Sequence, residues 1–92
     1  MMTKEQFSQI KSLDTAIRRG SAVLGAITKY RQDKKKQGMF IQLDHEYYRT
    51  MVNVCFPEIE EEVLDLLEKR YNNLMTMWVQ ELRNIRGEIY GH

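Results

Sequence analysis

The sequence predicts an all-α fold in which two long helices form an antiparallel hairpin, joined by a short extended segment and a short helix. Two observations support this prediction: two long apolar stripes at helical spacing, and opposite net charges at the two ends of the chain. The 92 residues include five glycines and one proline, and 42% of them are apolar. A chain of this length has room for one domain, so residues 1–92 are expected to form a single helical domain.

The first long helix is predicted to begin at a capping box, because Gln6 follows Thr3 at the third position. Apolar residues then recur at alternating spacings of three and four, which is the period of one helix face. This face consists of Ile10, Leu13, Ile17, Gly20, Leu24 and Ile27. The pattern continues to about Lys36, and we expect Gly38 to end the helix in a left-handed conformation.

Small residues dominate the middle of this helix, including Gly20 and Gly25. Each glycine inside a helix costs about 1 kcal/mol relative to alanine, so a compensating role is expected. Three interpretations remain open from the sequence: a close crossing with another element, a break that divides the helix near Gly20, or a notch for a ligand.

The segment that follows is predicted to contain no sheet. Residues 39–43 form an apolar run that is too short for a sheet of its own, so we expect an extended segment lying over the core. Asp44 is predicted to cap a short helix, whose apolar side would carry Tyr48, Met51, Val52 and Cys55.

The second long helix is predicted to start at Pro57, since proline lacks the amide hydrogen that would be unpaired in a first turn. Its apolar stripe is the most regular in the chain and comprises Ile59, Val63, Leu66, Leu67, Tyr71, Leu74, Met75, Trp78, Leu82 and Ile85. Gly87 is the expected end of this helix.

The distribution of charge supports the antiparallel arrangement. Residues 1–37 contain nine Lys/Arg and three Asp/Glu, a balance of +6, whereas residues 57–92 contain four and eight, a balance of −4. An antiparallel hairpin places the basic stretch 29–36 beside the acidic stretch 58–68. Attraction between the two stretches is therefore expected to hold the helix ends together.

Two long helices and one short one leave the apolar stripes only partly covered, which predicts self-association into a helical bundle. We expect a homo-oligomer, a dimer or a larger even-numbered assembly. The residues predicted to form its interface are Ile17, Gly20, Leu24, Ile27, Leu74 and Trp78.

Basic and aromatic side chains suggest a second kind of site, because arginine pairs with phosphate and aromatic rings stack on bases. The candidate ligand-binding residues are Arg18, Arg19, Lys29, Arg31, Tyr47, Tyr48 and Arg49. The alternative is a solvated face paired with the acidic stretch. The formal net charge of +1 disfavours nucleic acid as the partner, since binders usually have a domain pI above about 9.

Several function classes are not expected. The triplet Asp44-His45-Glu46, even with Cys55, lacks the spacing of a metal site, and no cofactor is predicted. The chain has no glycine-rich phosphate loop, GxSxG or HExxH, so we do not expect an enzyme. A single cysteine excludes a disulfide scaffold. With no apolar run of about 18 residues and no secretory signal, a cytoplasmic location away from membranes is expected.

These observations favour a non-enzymatic interaction module that self-associates and binds or blocks a partner protein, as in small accessory proteins of phages or mobile elements. The alternative is an oligomer that sequesters a phosphate-bearing small ligand, such as a nucleotide, in a basic and aromatic pocket. The sequence does not separate a protein partner from a small anionic ligand.

Overall fold

Two long helices with a β-hairpin between them make up the chain. The computed structural model describes residues 2–35 and 37–90, so Lys36 and His92 lie outside the described residues. The elements in order are α1 (Lys4–Gln32), β1 (Met39–Asp44), β2 (Arg49–Val54) and α2 (Pro57–Tyr90). The predicted hairpin of two long helices is confirmed in part, and the structure is mostly helical, but the two strands correct the prediction of an all-α fold.

Helix α1 begins at the predicted capping box. The amide of Gln6 donates to the Thr3 hydroxyl, and the Thr3 amide donates to the Gln6 side chain, each at 3.0 Å. The helix is continuous through Gly20 and Gly25, so the interpretation of a break near Gly20 is wrong.

The end of α1 at Gln32 falls short of the predicted limit near Lys36. Asp33 explains the difference, because its carboxylate accepts a hydrogen bond from the Lys35 amide at 2.9 Å. Such local bonds from an aspartate side chain compete with helical ones. Gly38 does have a positive φ of 127°, but it precedes β1 rather than ending the helix.

The two strands form an antiparallel pair in which Ile41 lies opposite Val52. Two predictions are therefore wrong: residues 39–43 do have a partner strand, and residues 49–54 form β2 instead of a short helix. Asp44 ends β1 rather than capping a helix, and it lies opposite Arg49. Residues of both strands alternate between two faces, and their β-branched side chains favour a pleated strand over a helix.

Helix α2 starts at Pro57 as predicted and runs past Gly87 to Tyr90. The expected stop at Gly87 is wrong, since one glycine costs a helix only about 1 kcal/mol. No helix in the described ranges is long and apolar enough to cross a membrane.

Contacts along the two helices confirm that they run antiparallel. Arg31, near the end of α1, binds Glu61 and Asp65 in the early turns of α2. Further along, a Cβ atom on Gly20 would lie 2.7 Å from Met75 Sδ and 3.2 Å from the Trp78 ring. The predicted meeting of the basic and acidic stretches is thus confirmed, and so is the close crossing at Gly20.

The hydrophobic core is small. In the described part of the chain, Gly20, Ile27 and Leu64 are the buried residues of the helices. The radius of gyration is 17.7 Å and the dimensions are 53 × 34 × 18 Å, whereas a compact chain of this length would have a radius of about 12 Å. The elongated shape leaves much apolar surface in contact with solvent.

Candidate interaction surface

The two faces of the β-hairpin differ in polarity, because successive residues of a strand point to opposite faces. Cross-strand partners share a face. The residues of the more apolar face, called the hairpin face below, are Met39, Ile41, Leu43, Thr50, Val52 and Val54, of which Thr50 is the polar one. The opposite face mixes Gln42, Asp44, Arg49 and Asn53 with Phe40 and Met51.

The hairpin face is open to solvent over most of its length. Met39 and Val54, at its base, are half-buried. Ile41 and Val52 are 39% and 42% exposed, and Leu43, near the turn, is 54% exposed. An isolated two-stranded hairpin is at best marginally stable in water. A partner on the apolar side would therefore stabilise this hairpin.

A groove of about 540 Å³ extends the hairpin face onto the helices. We call it the helix groove. Its walls come from three parts of the chain. Gly38 and residues 39–41 of β1 form one wall. The helices form the others, with Val23, Ala26, Ile27 and Tyr30 of α1 and Val63, Leu64 and Leu67 of α2. Because Met39 and Ile41 belong to both surfaces, the hairpin face and the helix groove form one continuous apolar surface.

The turn of the hairpin presents ordered aromatic rings. The His45 ring stacks on Tyr48 with centroids 4.6 Å apart, and Tyr47 lies 5.7 Å from the same ring. The Tyr47 amide donates to His45 Nδ1 at 3.2 Å. Arg49 Nε donates to the Asp44 carboxylate at 2.8 Å. These contacts hold two strongly exposed tyrosines at the far end of the hairpin.

Arg31 is the electrostatic link between α1 and α2. Its guanidinium donates to Asp65 and Glu68 at 2.6 Å each, and its distance to Glu61 is 3.5 Å. The hydrogen bond to Asp65, together with the nearby carboxylates, raises the pKa of Arg31. Its charge is therefore matched by acidic groups of the same chain.

Tyr30 makes a second link beside Arg31. Its hydroxyl donates to Glu60 Oε1 at 2.5 Å. This hydrogen bond raises the pKa of Tyr30 to about 12, with smaller contributions from burial and from the charges of Glu60 and Glu61. The phenol therefore keeps its proton well above the usual range for tyrosine.

The candidate ligand-binding residues lie in three parts of the structure. Arg18 and Arg19 are in the middle of α1, Lys29 and Arg31 are in its last turns, and Tyr47, Tyr48 and Arg49 are at the turn of the hairpin. Arg18 pairs with Asp14 at 3.1 Å, and Arg31 and Arg49 pair with the carboxylates described above. Phosphate binding by this set stays a prediction.

The residues predicted to form an oligomer interface follow the contact between α1 and α2 of one chain. Gly20 and Ile27 are buried there, with Gly20 against Met75 and Trp78. Ile17, Leu24, Leu74 and Trp78 are half-buried. Their part in an oligomer stays a prediction, because a single chain does not test it.

The hairpin face is not predicted as a surface from the sequence. The signal that could have revealed it is the period of two in residues 49–54, where Thr50, Val52 and Val54 alternate with Arg49, Met51 and Asn53. Among the residues that the structure describes, no group of three or more His, Cys, Asp or Glu could hold a metal ion.

Comparison with known proteins gives no match for this chain, whether to a protein-family model, a curated protein or a solved structure.

Proposed function

We propose that this chain is a non-enzymatic interaction module that self-associates and holds a partner protein. The observation that carries the proposal is the amount of surface left open. The chain has an accessible surface of 7809 Å², whereas a compact monomer of 11.0 kDa would expose about 5,600 Å². The excess of about 2,200 Å² is more than the roughly 800 Å² that each partner contributes to a standard interface.

The location of the exposed apolar side chains supports the same proposal. Most of the large ones lie between residues 40 and 56: Phe40, Ile41, Leu43, Tyr47, Tyr48, Met51, Val52 and Phe56. All of these except Phe56 belong to the β-hairpin, and such a concentration of apolar residues indicates a binding element, since scattered apolar residues are normal on any protein. The β-hairpin is therefore the element through which we expect association.

The turn of the hairpin supports a role in holding a partner protein. Tyr47 and Tyr48 are 82% and 62% exposed, and Arg49 follows them. Tyrosine and arginine are enriched among residues that dominate binding energy. The stacking of His45 on Tyr48 orders one of these rings before binding, which lowers the entropy cost of association.

Binding of a phosphate-bearing ligand is the weaker proposal. Arg18, Arg31 and Arg49 already pair with carboxylates of the same chain. A phosphate would have to replace these partners and leave the carboxylates without them. The exposed apolar surface, by contrast, needs no rearrangement to meet a protein.

The test is native mass spectrometry of the purified protein without added ligand, together with sedimentation over a range of concentrations. We expect an even-numbered oligomer at a multiple of the sequence mass. A monomer at every concentration would refute self-association. Stoichiometric extra mass that is lost on denaturation would instead favour the captured ligand. Tyr47→Ala with Tyr48→Ala should keep the oligomer while releasing any protein that co-purifies with it.

A further inference from the structure

The backbone of β1 leaves hydrogen-bonding groups open along its outer edge. The His45 amide donates to the Tyr48 carbonyl at 2.8 Å. In an antiparallel pair, hydrogen-bonded positions alternate with positions whose amide and carbonyl point away from the partner strand. With the observed register, Phe40, Gln42 and Asp44 therefore direct these groups away from β2. The sheet of the described chain has two strands, so no third strand pairs with this edge.

The edge of β1 lacks the features that usually protect an edge strand. Natural edges carry lysine or proline, or are interrupted by a bulge. The sequence of β1, MFIQLD, contains neither lysine nor proline, and it pairs with β2 one residue to one residue throughout. Its charged residue, Asp44, lies at the end of the strand and is paired with Arg49. The edge can therefore accept a further strand.

The helix groove lies beside this edge. Its walls include Phe40 and Ile41, which belong to opposite faces of the hairpin, and no residue of β2 is among them. The groove therefore borders the outer side of β1. A strand added there would run about 4.8 Å from β1 and direct every second side chain toward the groove. The walls formed by Val23, Ile27 and Leu64 suit apolar side chains at those positions.

The outer edge of β2 is less suited to a further strand. By the same alternation, Asn53 and Arg49 direct their backbone groups away from β1. The Asn53 carbonyl already accepts a hydrogen bond from Cys55 Sγ at 3.5 Å. Arg49 adds a charged side chain to the other end of this edge. The edge of β1 is therefore the one that combines open backbone groups with an apolar groove.

Acidic side chains lie at one end of the helix groove. Tyr30 and Gly38 line both this groove and a smaller cavity, in whose described walls the charged residues are Glu60 and Glu61. These carboxylates bind Tyr30 and Arg31, but a carboxylate accepts more than one hydrogen bond. Charge complementarity therefore favours lysine or arginine at this end of a bound segment.

We infer that the chain binds an extended segment of a partner protein by strand addition to β1. The segment places apolar side chains at alternate positions in the helix groove and a basic side chain beside Glu60 and Glu61. Hydrogen bonds to the β1 backbone supply affinity, and the groove selects the side chains, as in other domains that bind peptides at a sheet edge. This inference rests on the partner binding proposed above and names the chemistry of the partner.

The first experiment selects binders from a display library of random peptides on the purified protein. Enriched peptides should alternate apolar and polar residues, which is the period of a strand, and should carry lysine or arginine at one end. Apolar residues at helical spacing in the enriched peptides would overturn strand addition and leave partner binding intact. A library that yields no binder would also overturn it, whereas self-association has its own test by native mass spectrometry.

Two proline variants then locate the edge. Gln42 and Met51 are cross-strand partners, and each points its amide away from the other strand. Proline is tolerated where the missing amide hydrogen faces solvent. For a synthetic copy of an enriched peptide, followed by fluorescence anisotropy, Gln42→Pro should raise the dissociation constant at least about tenfold. One hydrogen bond is lost, and the proline ring blocks the peptide. Met51→Pro should change it less than about threefold. Equal weakening by the two variants would overturn binding at β1.

Backbone methylation of the peptide provides a second measurement on the wild-type protein, which stands even if Gln42→Pro does not fold. One peptide is N-methylated at its odd positions and another at its even positions, so that each loses the amide hydrogens of one edge. Strand addition uses the amides of one edge. One of the two peptides should therefore bind at least about tenfold more weakly than the other. Equal affinities of the two peptides would overturn the inference.

Discussion

Alanine at Gly20 and alanine at Gly25 add the same methyl group to one helix in two different surroundings. A Cβ atom at Gly25 meets no atom within 4 Å, whereas one at Gly20 would lie 2.7 Å from Met75 Sδ. Gly25→Ala should therefore stabilise the chain by about 1 kcal/mol, the full difference in helix propensity. In Gly20→Ala this gain is opposed by overpacking, which costs about 1–3 kcal/mol. The net effect expected at Gly20 lies between no change and about 2 kcal/mol of destabilisation.

Thermal and urea unfolding, followed by circular dichroism, measure the difference. Gly25→Ala should raise the melting temperature by roughly 4–8 °C, the shift that 1 kcal/mol produces in a domain of this size. Gly20→Ala should leave it unchanged or lower it. The atom nearest to the added methyl group is Met75 Sδ, so Gly20→Ala should cost less when it is made in a Met75→Ala background than in the wild-type chain. Equal stabilisation by the two alanines would refute the close contact between Gly20 and α2.

Two further predictions concern the end of the helical hairpin near the β-hairpin. Arg31→Gln should lower the free energy of unfolding, because three carboxylates of α2 lose the cation that they share, and the loss should shrink as salt is added. The control is Arg18→Gln, which breaks an exposed ion pair with Asp14 and should lower the free energy of unfolding by less than about 1 kcal/mol. Equal losses of stability in the two variants would contradict the role given to Arg31. The pKa of Tyr30 should be about 12 in the folded chain and 10.0 in the unfolded chain. Because the folded chain holds this proton more tightly, the difference in pKa stabilises the fold below pH 10, and this contribution disappears as the pH rises from 10 to 12. An ultraviolet tyrosinate titration checks this, and Tyr30→Phe should remove the last ionising tyrosine; a transition that persists in that variant would belong to another residue.

The helices could be predicted because their signals are local. Thr3 and Gln6 lie within one turn of each other, and Pro57 marks its own position by lacking an amide hydrogen. The approach of stretch 29–36 to stretch 58–68 also followed from their charges once an antiparallel hairpin was assumed, whereas the pairing of Arg31 with Glu61 and Asp65 came from the structure. Each of these inferences uses short spacing or a simple sum of charges.

The β-hairpin could not be predicted in the same way. Tyr48, Met51, Val52 and Cys55 have spacings that suit one side of a helix, while residues 49–54 also alternate as a strand does. The choice between the two depends on whether residues 39–44 are available as a partner. Pairing of Ile41 with Val52 makes the strand favourable, and neither segment shows this on its own.

The interaction surface shows the same limit. The apolar stripe on α1 predicted that Gly20 and Ile27 would be buried, and they are, but by α2 of the same chain. The apolar residues that remain exposed are those that the contacts between α1 and α2 and between β1 and β2 leave uncovered. Leu43 and Val52 become candidates for an interface only after the register of β1 and β2 puts them on one open face.

By itself, the sequence determined two long helices, their antiparallel order, the start of each helix and the approach of stretch 29–36 to stretch 58–68. These features arise from hydrogen bonds, spacings and charges that are local or summed over a stretch. The tertiary structure alone decided that residues 39–54 form a hairpin and that its apolar face stays open. Those features depend on competition between distant segments for the same contacts, and its result is visible only when all segments are in place.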